Sequence, residues 1–597
     1  MGIPRFASWI FNNRSRNLTV PYIPKNVCSL SFDVNSIIHG CAQIVYNYGE
    51  WTSEQRKTTI SEMSEEQLEN ELFKLITDTI FRIVTRVQPK KYLVLAVDGV
   101  APLAKIHQQR GRRYRSVMSS SQEMRFDPNC ITPGTDFMFR LDEHFRKWIQ
   151  NNIQNLPEKI LYSNHMVPGE GEQKIFDYVR SYEISGYGSH IIYGLDADLI
   201  ILSLISRLKG VYLLREKSLE QNKYERLIVI DEVREYLYER MCTDSAIDDF
   251  AILSFFLGND FIPTPPMFCG DMYDTIEYLL DRYERLGLSF INKSEPGCIV
   301  MKHLKKFIDI LMEDESERLV KVSLHPPKLG FKTLEMATES YLYHGKMKVI
   351  LNKEEFQKNW YTKIFSPMIE KSDMAFDLPS SMYLELFEPT NQKIEDLVDD
   401  YIRAFCWTYL YYKKGTFSID PNFFYVCGYA PLMMDVSKKF PVDIKRVDRE
   451  GSETSKSFTV LHQLLSVLPP KSMNIIPKVL HPFYKPDSKI ADMFPLKVGI
   501  DTEAKDMERL GVVLMPPVDP MRLLGLDFAI EDMKKYESQK SMKFDRMSED
   551  MGMNKRIEHS VIEKKEIPVE VSKSKFIQEF ERLKRLRRLN DTNEKFK

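Results

Sequence analysis

From residue 28 onward, short runs rich in apolar and β-branched residues alternate with stretches whose apolar positions recur at helical spacing. CSLSFDV is followed by NSIIHGCAQIVYNY, YLVLAVD by LAKIHQQRGRRYRS, KILYS by EGEQKIFDYVR, and HIIYGLD by ADLIILSLISRL. This alternation predicts an α/β domain over residues 1–270, a doubly wound parallel sheet covered by helices. The segments DTIEYLLDRYERL and IVMKHLKKFIDILMEDESERL keep apolar residues near the 3.6 period, which predicts a second, largely helical region over 271–530 buttressing the first. Within it SKKFPVDIKRVDREGSETSKS, between about 437 and 456, is polar and reads as an exposed loop. Residues 531–597 are rich in Lys, Glu, Met and Arg and read as a charged helical or disordered tail.

Composition sharpens this picture in three ways. At 597 residues and 43% apolar content the chain is too long for one core and well able to bury several. Its 83 basic and 85 acidic residues nearly cancel, so a nucleic-acid partner must be held by local basic clusters and not by a global field. The eight cysteines, Cys28, Cys41, Cys130, Cys242, Cys269, Cys298, Cys406 and Cys427, form no C-x-x-C pair, which removes the usual zinc signature and predicts free thiols. No apolar run approaches the roughly 20 residues that span a bilayer, and MGIPRFASWI lacks the order of a signal peptide. The expectation is a cytoplasmic protein without membrane contact, with the basic run RLKRLRR leaving the nucleus open.

The candidate chemistry lies in carboxylates. Asp33, Asp98 and Asp196 each fall at the carboxyl end of an expected strand, the rim where open α/β sheets bind ligands. Glu170 and Glu172 follow Pro168 and Gly169 and are placed to open a helix, Asp196 and Asp198 share a face if their strand extends that far, and Asp260 sits in FLGNDFIP. Single acids at such places also serve as helix caps or lie in solvated turns. Seven together, embedded in apolar runs such as LSFDV and YGLDAD, carry a desolvation cost that bound cations would offset. Two magnesium ions, with manganese as a substitute, are the cations that such oxygen donors suit, and phosphodiester hydrolysis is the reaction that they serve.

Lys105, Gln109, Arg112 and Arg113 stand at i, i+4, i+7 and i+8 of one expected helix and so share a face. A point charge, an amide and two guanidinium forks make a phosphate pocket; the plainer alternative is a solvated basic face. His39 could stack on a base or simply pack. The segment FCWTYLYYKKGTFSIDPNFFYVCGYAPL suits base stacking and core packing equally.

The ordered set MGIPRFASWI, FDVNSIIHGCA, VDGVAPLAKIHQQRGRRYRS, ITPGTDFMFRL, VPGEGEQKIFDYVR, YGLDADLIILSL and DDFAILSFFLGNDFIP resembles the Xrn-type 5′→3′ exoribonucleases, and GYAPL, HQLLSVLPPKS and VVLMPPVDPMRL extend the likeness to about residue 530. The resemblance implies a nuclease domain like the PIN and flap nucleases, and a metal site formed by Asp33, Asp98, Glu170, Glu172, Asp196, Asp198 and Asp260. It implies that Lys105, Gln109, Arg112 and Arg113 grip a 5′-monophosphate and that His39 stacks on the first bases. The family pairs this His with an aromatic, often Trp, upstream of YAP; here TFSIDPNFFY has no Trp, which leaves Phe417 and Phe423 as candidates. The reading is a compact, monomeric, processive exoribonuclease acting on single-stranded 5′-monophosphate RNA and releasing nucleoside 5′-monophosphates. Its rivals are a structure-specific 5′ DNA nuclease and a catalytically silent RNA-binding scaffold.

Overall fold

The computed structural model describes residues 6–11, 17–49, 52–119, 125–181, 184, 188–215, 226–292, 298–344, 346–365, 391–451, 457–526 and 560–563. Residues 1–561 form one compact unit; of a second, 562–597, only the first two residues are described, so the tail expected beyond 530 lies almost wholly outside the described residues.

The expected sheet is present. One of its eight strands, Ser560–Glu563, falls in the tail, where a helix or disorder was expected; the other seven are β1 (Thr19–Val20), β2 (Val27–Asp33), β3 (Tyr92–Ala96), β4 (Lys159–Ser163), β5 (Ser189–Tyr193), β6 (Val211–Leu214) and β7 (Leu227–Val229). They lie in the order β1-β7-β6-β5-β2-β3-β4, with β6, β5, β2, β3 and β4 mutually parallel and β7 antiparallel to both β1 and β6. Every residue of β2 and β3 is buried, as expected for central parallel strands covered on both faces. The chain leaves β2 for β3 and β4 on one side, then returns to β5 on the other. That reversal makes the carboxyl ends of β2 and β5 a topological switch point, where a crevice must open.

Helices follow the strands as the periodicity predicts: Val34–Tyr46, Leu103–Ser119, Gly171–Arg180 and Asp198–Ser206. The later region holds the helices Met272–Leu286, Met301–Leu324, Lys353–Phe365 and Asn391–Lys414. One continuous core joins it to the sheet domain: Phe255 and Phe256 from the nuclease half meet Phe405 and Tyr412 of the helix Asn391–Lys414. A departure from the helical expectation is the antiparallel hairpin of Thr338–Tyr343 with Lys346–Leu351, with His344 at φ 49 between the strands.

The basic helix is also a strut. Arg110, wholly buried, donates through Nη1 to the Ser466 carbonyl at 2.6 Å and through Nη2 to that of Met493. Arg115 donates through Nη2 to the Gly511 carbonyl at 2.5 Å. Two of its cations are therefore spent on main-chain carbonyls of the later region.

Candidate active site

The acids gather at the carboxyl rim of the sheet from five separate segments. Asp33 ends β2 and precedes the helix Val34–Tyr46. Asp98 lies two residues beyond β3, where its backbone N–H donates to Asn35 Oδ1 at 3.0 Å and Asn35 Nδ2 donates back to Oδ2 at 2.9 Å. The N–H of Gly171, at the start of its helix, completes the set on Asp98 Oδ1 at 2.7 Å, a contact that the helix dipole favours. Only glycine fits there: a Cβ at residue 171 would stand 2.9 Å from both the Ala96 carbonyl oxygen and Asp33 Oδ1.

Glu170 and Glu172 open that helix, as the sequence predicts, but Glu170 caps nothing. One of its oxygens lies 2.5 Å from Lys105 Nζ, and the other accepts from the Tyr411 hydroxyl at 2.6 Å. Lys105, almost fully buried, also donates to Asp260 Oδ2 at 2.9 Å. Asp196 and Asp198 do not share a strand face, because β5 stops at Tyr193. Leu199 closes over Gly194, where a Cβ would sit 2.3 Å from Leu199 Cδ1, so the chain turns and Asp198 begins a helix.

The electrostatics follow from this packing. Burial pushes the Asp33 carboxyl well above its ordinary range, and the neighbouring charges of Asp98 and Asp196 push it further. Burial likewise raises Glu172 well above its usual value, and raises Asp198 to about 7 with help from Asp260. Asp260 is the exception: burial opposes its charge, but the Lys105 ammonium outweighs that and holds it well below the carboxylate range. Two oxygens, Glu172 Oε2 and Asp198 Oδ1, are buried without any hydrogen-bond partner. Buried charge without a partner is costly, and hard oxygen donors of this kind suit a hard cation. The donor chemistry fits a divalent metal, although among the described residues no three His, Cys, Asp or Glu side chains stand ready as ligands around one point.

Beside the acids runs the basic face. Gln109 and Arg113 are half-buried and Arg112 is exposed, while Arg113 reaches Asn129 Oδ1 at 3.4 Å and the Ile131 carbonyl at 3.3 Å. A cavity of about 990 Å³ has Arg112, Asp196 and Asp260 in its wall; of the four residues expected to share a phosphate-binding face, Lys105, Gln109 and Arg113 do not line it. His39 is half-buried; burial and the charges of Arg112 and Arg113 lower its imidazole to about 3, so it is neutral. Phe423 is buried under Arg403, whose guanidinium lies 4.7 Å from its ring, whereas Phe417 is 43% exposed and is the one of the two free to meet a base.

Sequence reasoning missed the tyrosines. Tyr411 and Tyr412 lie in the aromatic segment, where core packing prevails: Trp407, Tyr409, Tyr411 and Tyr412 are all buried. Yet the Tyr411 hydroxyl grips Glu170, and that of Tyr412, without a partner of its own, lies near Asp198 and Glu172. Asp248, in the DDFAIL run, turns out to be an anchor, bonded to Arg207, Tyr409 and Lys413 at 2.6 to 2.9 Å.

Comparison with known proteins identifies the family. Residues 1–217 match the family model described as the XRN 5′-3′ exonuclease N-terminus, and residues 382–575 match the Xrn1 helical domain. The human protein named 5′-3′ exoribonuclease 1 is 30% identical over 91% of this chain, and its Saccharomyces cerevisiae counterpart is 28% identical over 88%. The chain spans only 35% and 43% of the length of those two relatives. The solved structure of the catalytic core of Rad2 in complex with DNA substrate aligns over 53% of this chain and 74% of its own at 12% identity, with a TM-score of 0.29. The two family models together take in more than two thirds of the 597 residues, over six of the seven rim acids and the helix Asn391–Lys414; the chain belongs to the Xrn family of 5′-3′ exonucleases.

Proposed function

We propose that this protein is a magnesium-dependent 5′→3′ exoribonuclease that degrades single-stranded RNA from a 5′-monophosphate end to nucleoside 5′-monophosphates. The observation that carries the reading is a rim of seven acids, two with buried unpartnered oxygens, against a helix from which Lys105 pairs with Glu170 and Asp260 and Arg112 shares a cavity wall with Asp196 and Asp260. Asp33, Asp98, Glu170, Glu172, Asp196, Asp198 and Asp260 would hold a pair of Mg²⁺ ions, with Glu172 and Asp198 the residues whose oxygens most need them. Such ions supply charge neutralisation at the reacting phosphate and an activated water at neutral pH.

The chain's own groups do the rest. Arg112 and Arg113 offer planar forks to a terminal phosphate, and Lys105 brings a point charge against the acid rim. Neutral His39 offers a ring face for the first base, with exposed Phe417 as its candidate counterpart. Placing the terminus against the acids fixes which phosphodiester reacts, so the product is one nucleotide long.

The test is incubation of the purified protein with 5′-monophosphate RNA and Mg²⁺, beside a matched DNA strand and a chelated control, with products resolved by length. Mononucleotides from RNA alone, lost on chelation, are expected. Cleavage of flapped DNA with no preference for ribose would favour a DNA 5′-nuclease, and tight RNA binding with no product would favour a silent scaffold.

A further inference from the structure

Glu170 differs from every other acid of the rim in having one oxygen on a lysine and the other on a tyrosine. Lys105 Nζ lies 2.5 Å from Oε1, and the Tyr411 hydroxyl donates to Oε2 at 2.6 Å across 241 residues of sequence. Tyr411 comes from the helix Asn391–Lys414, in the part of the chain that matches the Xrn1 helical domain. Its ring is wholly buried, stacked on Trp407 at 5.1 Å and met edge-on by Phe261 at 5.6 Å, so the hydroxyl has one place to point. Phe261 also lies under the ammonium, 5.9 Å from Lys105 Nζ.

An ammonium carries three N–H donors. Glu170 and Asp260 engage Lys105 on two sides, which leaves a single direction for a substrate oxygen. Glu170 can hold its end of this arrangement only while its second oxygen is satisfied, because a buried carboxylate oxygen stripped of its donor turns toward whatever donor remains. We infer that Tyr411 is a positioning residue: acting through Glu170, it aims the remaining N–H of Lys105 at the 5′-phosphate and so sets the preference for that end. The helical region thereby contributes to end recognition without touching RNA. The inference rests on the 5′-monophosphate reading above.

The test is equilibrium binding, in chelator so that no hydrolysis intervenes, of one RNA sequence ending in 5′-monophosphate or 5′-hydroxyl. Tyr411→Phe should cut the phosphate-over-hydroxyl affinity ratio by about tenfold while leaving affinity for hydroxyl RNA within about twofold. Glu170→Gln should cut the ratio similarly, and adding Tyr411→Phe to it should change the ratio by less than about twofold, since both act on one contact. Where Tyr411→Phe fails to fold, Glu170→Gln alone decides, and an unchanged ratio in it overturns the inference. A wild-type preference that Tyr411→Phe retains, or losses that multiply in the double variant, overturns the positioning role alone. A wild-type protein with no preference overturns both this inference and the reading beneath it.

Discussion

Glu315 in the helical region and Glu172 at the rim are 4% and 5% exposed, yet both oxygens of Glu315 are bonded whereas Glu172 Oε2 has no partner. Glu315 accepts from the N–H groups of Met433 and Met434 at 2.7 and 2.8 Å, closing the start of the helix Met433–Lys438. Asp435 nearby accepts from Gln357 Nε2 and the Tyr361 hydroxyl, each at 2.9 Å, and Glu503 accepts from both the N–H and the hydroxyl of Thr333. At the rim Asp33 presses on Asp98 and Asp196, and Asp198 Oδ1 is stranded like Glu172 Oε2. The same chemical group thus does two jobs. At Glu315 the fold supplies both oxygens with donors and the buried acid is a fastening; at Glu172 and Asp198 it leaves an oxygen bare, and the acid is kept for something that the chain itself does not provide.

Removing charge from each kind of acid should break or sharpen this contrast. The largest effect is expected at the rim: Asp198→Asn, and separately Glu172→Gln, should lower RNA hydrolysis by about a thousandfold or more. Neither should weaken folding, because the loss of a like charge relieves repulsion in the metal-free protein; product-release assays beside thermal melts check both halves. Glu315→Ala should do the reverse. It strands two N–H donors, costs about 2 to 4 kcal/mol in denaturant unfolding, and leaves the rate per folded molecule unchanged.

A smaller effect is the pH dependence of the same fastening. Burial raises the Glu315 carboxyl from 4.5 to about 7, so between those values the folded state holds more protons than the unfolded state. Stability from this group is fully present below about pH 4.5 and lost as pH rises to about 7. The stability advantage of wild type over Glu315→Gln should therefore shrink between pH 5 and pH 8, by at most on the order of 3 kcal/mol. Arg112→Ala should slow cleavage of monophosphate RNA by about tenfold and narrow its advantage over hydroxyl RNA, read from initial rates on both ends. The smallest change is expected from truncation near residue 540, which removes RLKRLRR: RNA binding should weaken a few-fold at low salt, as a salt titration would reveal, with single-turnover cleavage preserved.

Much of the nuclease half was legible because its signals are local. Strand runs ending in Asp33 and shortly before Asp98, and the helix opened by Glu170 and Glu172, follow from periodicity and from Pro168 and Gly169 just ahead of it. The shared strand face of Asp196 and Asp198 depended on how far β5 runs, and it ends at Tyr193, with Leu199 packed close on Gly194. Tyr411 was hidden because its partner is distant in sequence. Nothing within its own helix distinguishes a hydroxyl that bonds an acid 241 residues away from the neighbouring buried tyrosines. The double role of the basic helix was also invisible, since Arg110 and Arg112 look alike until Ser466 and Met493 are seen under one of them. The hairpin after residue 337 was lost because TESYLY groups its polar and apolar residues instead of alternating them, and it sits among strongly periodic helices.

The claim that unsatisfied rim oxygens are kept for divalent cations is tested most directly by ligand-induced stabilisation. Thermal midpoints should be measured across a Mg²⁺ titration for wild type, Asp198→Asn and Glu315→Gln, without RNA. The account predicts that added Mg²⁺ raises the midpoint of wild type and of Glu315→Gln alike, by mass action on the folded state, and barely moves that of Asp198→Asn. A midpoint indifferent to Mg²⁺ in wild type, or one that rises equally in all three proteins, would contradict it.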